Sequence, residues 1–191
     1  MVPNPDIQCR RPGADEKTTI QEQSTVHIQD LPLEPRKRGL SGEQEKAFLD
    51  RIRSFLSEQR TLILATCHQS VPTCNLMSFA LVPGRFSLVL VTPENSRKSK
   101  TLHQNGNVSL LVMDKAALAQ DLKNGTAVTL NGRARAVVDQ ERLDLEEVFI
   151  HRNPDLEAFA RHDQSTLFRI EIHHLVAVTN FQELTELTLQ S

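Results

Sequence analysis

The sequence predicts a mainly β fold in which six antiparallel strands close into a small barrel flanked by helices (α+β). The first observation is that six apolar segments of strand length are separated by turn residues and few long helices, which argues against parallel βαβ units. The second is that the segment RFSLVLVT, residues 85–92, is apolar at both alternating sets of positions. A strand buried on both faces is typical of a closed sheet.

The composition indicates a single globular domain. The chain has 191 residues, of which 39% are hydrophobic and 24% charged. Its formal net charge of −2 gives no overall attraction to nucleic acid or to anionic membranes. No apolar run reaches the roughly 18 residues of a membrane span, and the first residues lack the apolar stretch of a secretory signal. We therefore expect a cytoplasmic protein with neither nucleic acid nor a membrane as partner.

The cysteines give no sign of a metal site. Cys9, Cys67 and Cys74 occur without a C-x-x-C pair, so the sequence predicts neither a disulfide framework nor a zinc site, and we expect no metal. Cys67 and Cys74 bracket a predicted hairpin loop, which leaves a disulfide across that loop as an alternative to free thiols.

The N-terminal segment differs from the rest of the chain. Residues 1–40 mix Pro, Gln and charged residues without helix or strand periodicity, and they offer too little apolar surface to offset the entropy of ordering. We interpret them as a disordered or loosely docked tail, with the basic triplet at 36–38 as a solvated linker. Residues 41–191 then form the barrel domain.

The domain is predicted to begin with an amphipathic helix over 42–59. Ser41 followed by Gln44 is typical of a capping box at a helix N-terminus. Apolar residues then recur at helical spacing, namely Phe48, Ile52, Phe55 and Leu56.

Strand-length segments follow the helix. Pro83 and Gly84 suit the central positions of a type II turn, so the second and third segments are predicted to form an antiparallel hairpin. Helices are predicted over 139–150 and 154–161. The six predicted strands cover residues 61–67, 73–81, 85–92, 107–114, 126–138 and 166–178.

Two details concern the last two strands. Asn131 and Gly132 would ordinarily indicate a hairpin turn, but the alternation of apolar residues continues through them, which favours one long strand bent at Gly132. Alternation in the last strand places His173 outward and His174 with the core residues. The sequence assigns no role to these two histidines or to His103.

A cationic cluster in VTPENSRKSK, residues 91–100, is the main functional signal. Ser96 suits an N-cap, so Arg97, Lys98 and Lys100 fall in the first turn of a short helix. Cations are unfavourable at that end because the helix dipole places positive partial charge there. A bound anion such as phosphate would resolve the conflict, and the hydroxyls of Thr92 and Ser96 would add hydrogen-bond donors.

The order of these segments resembles the flavin mononucleotide (FMN) split-barrel family typified by pyridoxamine 5′-phosphate oxidase. The resemblance is carried by ATCHQSVPTCNLMSFALVPGRFSLVLVTPENSRKSKTLHQNGNVSLLVMD and the later TAVTLNGRARAVV, and it covers about residues 42–180. It implies a six-stranded antiparallel split β-barrel, FMN as cofactor, and a homodimer with FMN at the subunit interface.

The resemblance also implies roles for individual residues. Arg97 and Lys98 match the S-R-K motif that holds the FMN phosphate, with Thr92 at the end of the preceding strand. Ser96, Val91 and Lys100 lie beside that motif. The second strand would lay its backbone along the flavin ring at Asn75, Leu76, Met77 and Ser78.

Other positions depart from the oxidase. Its flanking Arg and Lys on the second strand are replaced by Asn75 and Ala80, and a Gln on the fifth strand by Ala127. The C-terminal Trp motif has no counterpart in a chain without Trp. We therefore expect an FMN-dependent oxidoreductase of unknown substrate, with an electron donor such as NAD(P)H, and not a pyridoxamine phosphate oxidase. A non-catalytic flavin-binding or sensing protein, or a related barrel using F420 or haem, remains an alternative, and no catalytic residue is identified.

Overall fold

A curled, mainly antiparallel sheet forms the centre of the protein in a computed structural model that describes residues 36–38, 40–114, 125–180 and 183–189. The helices are α1 (Gly42–Glu58), α2 (Arg97–Gln104), α3 (Asp139–Arg152) and α4 (Glu157–Ala160), with a 3₁₀ turn at Pro154–Leu156. The strands are β1 (Arg36–Arg38), β2 (Thr61–His68), β3 (Val71–Ser78), β4 (Ala80–Leu81), β5 (Ser87–Pro93), β6 (Asn107–Met113), β7 (Ala127–Ala136), β8 (Ser165–Thr179) and β9 (Glu183–Thr188).

The sheet follows the order β1-β9-β8-β7-β6-β2-β3, and β5 pairs with both β4 and β8. Every pairing is antiparallel except that of β1 with β9. The predicted class, an antiparallel split barrel flanked by helices, is confirmed. The described residues contain nine strands instead of six, because the second predicted segment divides into β3 and β4 and because β1 and β9 were not predicted.

The division of the second segment explains why the barrel is split. Up to Ser78 the chain pairs with β2, whereas Ala80 and Leu81 pair with β5. Beyond this crossing at Phe79, β3 and β5 have no ladder between them. The predicted hairpin is formed by β4 and β5, and Gly84 has the positive φ of +72° that a type II turn requires at its third position.

Two apolar cores lie on opposite sides of β5. Leu88 and Leu90 face the barrel interior together with Leu110, Leu130 and Phe168. On the other side of β5 a second core is formed where Leu145 and Phe149 of α3 pack against Val89, Val91 and Leu167. All residues of β5 except Pro93 are buried, as predicted for a strand covered on both faces.

Helix α1 covers one side of the barrel interior. Its capping box is present, with the Ser41 amide donating to Gln44 Oε1 at 3.1 Å. Phe48, Ile52 and Leu56 are buried in the main core, which confirms the predicted amphipathic helix. No helix within the described ranges is long and apolar enough to span a membrane.

β7 is one long strand bent at Gly132, as predicted. The register with β8 shifts between Asn131 and Gly132, and a Cβ on Gly132 would lie 2.5 Å from the carbonyl oxygen of Glu171. A side chain cannot fit there, so the Asn-Gly pair serves a close approach of two backbones and not a turn.

The same bulge corrects the prediction for His174. Asn131 pairs with His174 while Gly132 pairs with Ile172, so His173 is an extra residue and the side-chain alternation of β8 reverses beyond it. His174 therefore leaves the core face, and its side chain is 24% exposed. Its Nδ1 atom accepts a hydrogen bond from the side-chain amide of Asn131 (3.1 Å), and its Nε2 atom donates to the carboxylate of Glu186 (2.8 Å). His173 is exposed.

The remaining sequence predictions concern the chain ends and the cysteines. The tail predicted over 1–40 lies outside the described residues apart from 36–38 and 40, and the triplet interpreted as a linker forms β1. Cys67 and Cys74 are free thiols. They lie diagonally, since Cys67 is opposite Pro72 and Cys74 opposite Ala65. Diagonal Cβ atoms are about 7 to 8 Å apart, too far for a disulfide.

Candidate cofactor site

The split between β3 and β5 holds a small cavity of about 190 Å³. Two sides come from the diverging strands, a third from Lys98 at the start of α2, and the fourth from α3 and the segment that follows it. The lining residues are Leu76, Met77, Ser78, Val91, Pro93, Lys98, Phe149, Leu156 and Phe159.

Helix α2 begins beside this cavity with a hydroxyl network. Ser96 is its N-cap, and the side-chain oxygen accepts a hydrogen bond from the amide of Ser99 at 3.2 Å. The hydroxyls of Thr92 and Ser96 lie 3.0 Å apart. Thr92 is buried, so its hydroxyl fixes the Ser96 side chain at the mouth of the helix.

The cations of this helix lack carboxylate partners. Arg97 and Lys100 are exposed and Lys98 is half-buried, and none of the three forms an ion pair with any described residue. The first turn contains no acidic residue. The helix dipole and these charges therefore add to one positive region that an anion would stabilise.

A buried hydroxyl in the same turn has no partner. The oxygen of Ser99 is fully buried and unbonded in the described part of the chain. An unsatisfied buried hydroxyl is costly, and such groups often mark a site that a ligand or water completes.

The structure brings five of the predicted site residues together. Leu76, Met77, Ser78, Val91 and Lys98 line one cavity. The other five predicted residues lie around it without lining it, namely Asn75, Thr92, Ser96, Arg97 and Lys100.

The fourth wall was missed by the sequence analysis. Phe149 is fully buried at the end of α3, whereas Phe159 in α4 is 36% exposed. Both helical segments were predicted, but nothing local in the sequence shows that they fold back onto β3. The only hint is one aromatic residue in each helix, and that does not identify the strand it packs against.

The cavity opens along an unpaired strand edge. β3 is the last strand of the sheet path, so its outer N–H and C=O groups have no ladder partner among the strands that the structure describes. Leu76, at the middle of that edge, is 72% exposed, which is unusual for a large apolar side chain. A planar ligand with hydrogen-bonding edges could satisfy this backbone.

The outer face of the sheet beside the cavity is also apolar. The strand registers place Leu76, Ile63, Leu111, Thr129 and Val176 in one row across β3, β2, β6, β7 and β8. Apart from the exposed Leu76, these residues are only half-buried. Such a row is typical of a surface covered by another molecule.

The donor set fits a flavin mononucleotide. An apolar slot beside a free strand edge suits a flat heteroaromatic ring, and the positive helix start suits a phosphate. The cavity encloses less volume than the roughly 300 Å³ or more of typical ligand sites, so part of such a ligand would project toward the outer face of the sheet.

Fold and site thus define a split-barrel protein with a small cavity in the split. A family model described as pyridoxamine 5′-phosphate oxidase matches residues 48–178, and the chain belongs to that family.

Individual relatives support the family and the fold. A pyridoxamine 5′-phosphate oxidase homolog of Schizosaccharomyces pombe is 30% identical over 46% of this chain, which spans 60% of the length of that relative. The structure of a heme binding protein from Mycobacterium smegmatis has a TM-score of 0.65 at 15% identity, covering 71% of this chain and 55% of the other. A FAD-binding protein from Mesorhizobium loti has a TM-score of 0.56 at 17% identity, covering 68% and 90%.

Proposed function

We propose that this protein binds FMN in the split between β3 and β5. The observation that carries the proposal is that Lys98 and the β3 segment from Leu76 to Ser78 line one cavity, beside a helix start whose cations form no ion pair with a carboxylate of the described ranges. The family membership and a solved relative described as FAD-binding support a flavin.

Each residue then has a physical role. Arg97 and Lys98 bind the phosphate through charge-assisted hydrogen bonds, and Lys100 adds long-range attraction. Ser96 donates its hydroxyl proton to a phosphate oxygen while Thr92 holds it in place from 3.0 Å away. The free edge of β3 at Asn75 to Ser78 bonds the polar rim of the ring, and Met77 and Val91 pack beneath it.

The cofactor site is completed by a second copy of the chain. The row from Leu76 to Val176 adjoins the cavity and is at most half-buried, and the cavity of one protomer is too small for the whole ligand. A homodimer with FMN at the subunit interface would cover this row and would supply the volume that the ligand needs beyond the cavity of one protomer. Burying this row would stabilise the dimer through the hydrophobic effect.

The proposed activity is an oxidoreductase of unknown substrate that takes electrons from a donor such as NAD(P)H. Bound FMN would supply two-electron redox chemistry. The protein orients the ring along β3 and excludes water from one side through Phe149, Leu156 and Phe159.

One observation favours a second candidate, a non-catalytic flavin-binding protein. Lys98 is the only titratable side chain among the residues that line the cavity, and it is assigned to the phosphate. Among the described residues that line the cavity, none is therefore left to act as a general acid or base for substrate chemistry.

The binding proposal is tested by titrating the purified protein with FMN. Each charge-assisted contact contributes about 1.5 to 3 kcal/mol. The variant R97Q/K98Q should therefore bind FMN at least about a hundredfold more weakly. Lys46→Gln, an exposed cation on α1, is the matched control and should bind normally. Unchanged affinity of R97Q/K98Q, or preference for haem or F420 over FMN, would contradict the assignment.

The two functional candidates are separated by anaerobic mixing of the FMN complex with NAD(P)H. The oxidoreductase proposal requires rapid bleaching of the visible flavin absorption. A bound flavin that stays oxidised with NADH, with NADPH and with a small-molecule dye donor would instead support the non-catalytic candidate.

A further inference from the structure

A second cavity lies outside the proposed cofactor site, between α1, β4 and the C-terminal half of α3. It has a volume of about 580 Å³, within the range of small-molecule sites. Its floor is apolar and is formed by Leu56, Phe79, Ala80, Leu81, Val82, Pro83 and Val148. Its polar lining consists of Arg53, Ser57, Glu147, His151 and Arg152.

Two arginines of this groove carry uncompensated charge. Arg53 donates to the carbonyl of Arg85 at 3.3 Å, and its guanidinium carbon lies 5.1 Å from the ring centroid of Phe86. Arg152 donates to the carbonyl of Gln59 at 3.0 Å. These neutral partners hold both guanidinium groups in place. Neither arginine forms an ion pair with a carboxylate in the part of the chain that the structure describes.

Glu147, the acidic residue at the rim of the groove, does not neutralise Arg53 and Arg152. Glu147 binds the Nη2 atom of Arg161 at 2.6 Å, and this contact is the largest reason why the pKa of Arg161 is raised. Glu147 is thus already paired with a cation of its own. His151, which is exposed, adds a third basic side chain at the same rim. The groove is apolar along its floor and positive at its edge.

We propose that this groove binds an amphipathic monocarboxylate, with its apolar chain on the floor and its carboxylate at the Arg53 and Arg152 rim. A guanidinium held by a neutral carbonyl keeps further N–H groups free for a bidentate contact with a carboxylate. The apolar floor favours a hydrocarbon or aromatic body over a sugar or a second charge.

This site is separate from the flavin cavity. Ser78 and Phe149 line the flavin cavity, whereas the adjacent residues Phe79 and Val148 line the groove. The two cavities therefore lie on opposite sides of the contact between β4 and α3. Failure of flavin binding would leave the groove proposal standing, and the reverse also holds.

The test is calorimetric titration of the full chain with decanoate, and with 1-decanol as a neutral probe of equal length. We expect saturable binding of one decanoate per chain and at least about tenfold weaker binding of decanol. The variant R53Q/R152Q should lose at least about tenfold in decanoate affinity and little in decanol affinity.

Arg51, on the same helix α1 as Arg53, provides a matched control. Arg51 also packs on an aromatic ring, 5.8 Å from the centroid of Phe48, but it lines a different cavity. Arg51→Gln should bind decanoate like the unaltered protein. Equal affinities of decanoate for the unaltered protein and R53Q/R152Q, equal losses in R51Q, or absence of saturable binding would each overturn the proposal.

Two further measurements guard against misfolding and against another occupant. Thermal unfolding of each variant checks folding, and Arg152→Gln alone serves if the double variant is unfolded. Val148→Phe fills the groove and should abolish decanoate binding while the sedimentation coefficient stays unchanged. A change from dimer to monomer in Val148→Phe would identify the groove as an interface between copies and overturn the proposal.

Discussion

Strands β5 and β3 face each other across the split of the barrel, yet their surroundings differ. β5 is buried at every position except Pro93, because the barrel core covers one face and α3 the other. β3 is buried only at Met77. The chain thus completes the barrel on the β5 side with its own helix and leaves the β3 side open, and the residues proposed for flavin binding and dimerisation gather on that open side.

The largest expected effect contrasts one leucine from each strand. Leu90→Ala in β5 removes a side chain that is 1% exposed and should lower the free energy of unfolding by about 3 kcal/mol through cavity formation. Leu76→Ala in β3 should change it by less than about 0.5 kcal/mol in the monomer, because Leu76 is exposed. Chemical denaturation measures both. Equal losses of unfolding free energy in the two variants would show that Leu76 is as well packed as Leu90.

The next test concerns the aromatic wall of the open side. Phe159→Ala should weaken FMN binding by about tenfold, since aromatic stacking contributes roughly 0.5 to 1.5 kcal/mol beyond area burial. The melting temperature should barely move because Phe159 is partly exposed. Leu143→Ala, an exposed apolar residue of α3 outside the cavity, is the control in the same titration. Unchanged FMN affinity in Phe159→Ala would show that the flavin ring does not stack on Phe159.

A smaller effect on stability is expected from the ion pairs that hold α3 against the β5 side of the barrel. Arg135, followed by Arg169, lowers the pKa of Glu141 to about 2 through hydrogen bonds. Because the folded pKa is below the ordinary value of about 4.3, the stabilisation is present above that pH and is lost as the pH falls toward 2. The carboxylate is 35% exposed, so solvent screening limits the stabilisation to about 1 kcal/mol.

Glu141→Gln tests this pH dependence. Its unfolding free energy should be about 1 kcal/mol lower than that of the unaltered protein at pH 7, and the difference should vanish toward pH 2. Glu58→Gln, an exposed residue outside any described ion pair, should show no such convergence. A difference between Glu141→Gln and the unaltered protein that is independent of pH would attribute the effect to packing.

The smallest expected effect is an increase in the unfolding free energy from a substitution on the open side, in the turn between β2 and β3. The turn between β2 and β3 places Gln69 and Ser70 at φ of 48° and 64°, where glycine is more stable than other residues. Ser70→Gly should raise the unfolding free energy by about 0.5 to 1 kcal/mol, measured as a higher melting temperature. Ser57→Gly, inside helix α1, should lower it instead. A loss of stability in Ser70→Gly would mean that the serine side chain compensates for the strain.

Most of the fold was predictable because its signals are local. The double burial of β5, the capping box at Ser41 and the Ser96 cap each depend on residues a few positions apart. The continuation of β7 through Gly132 was also predictable, since the alternation of apolar residues is a stronger signal than the turn-forming Asn-Gly dipeptide. The class of cofactor depended on a family resemblance, with the clustered cations as its local support.

The missed features depend on contacts between distant residues. β9, with the sequence ELTELT, has too little apolar character to be recognised without its neighbour β8. The orientation of His174 follows from a bulge that is visible only when β7 and β8 are paired. The wall of Phe149 and Phe159 depends on where α3 lies against the sheet, and no periodicity encodes that position.

The long strand β8 has a consequence for the order of folding. It pairs with β5, β7 and β9, and its partner for Leu90 is Phe168, far along the chain. The hairpin of β2 and β3 closes over a two-residue turn and can form within microseconds, whereas β5 must wait for a long loop to close. We therefore expect the edge that remains open in the native protein to form early, and the fully enclosed strand to acquire its partner only in the slow, topology-limited step.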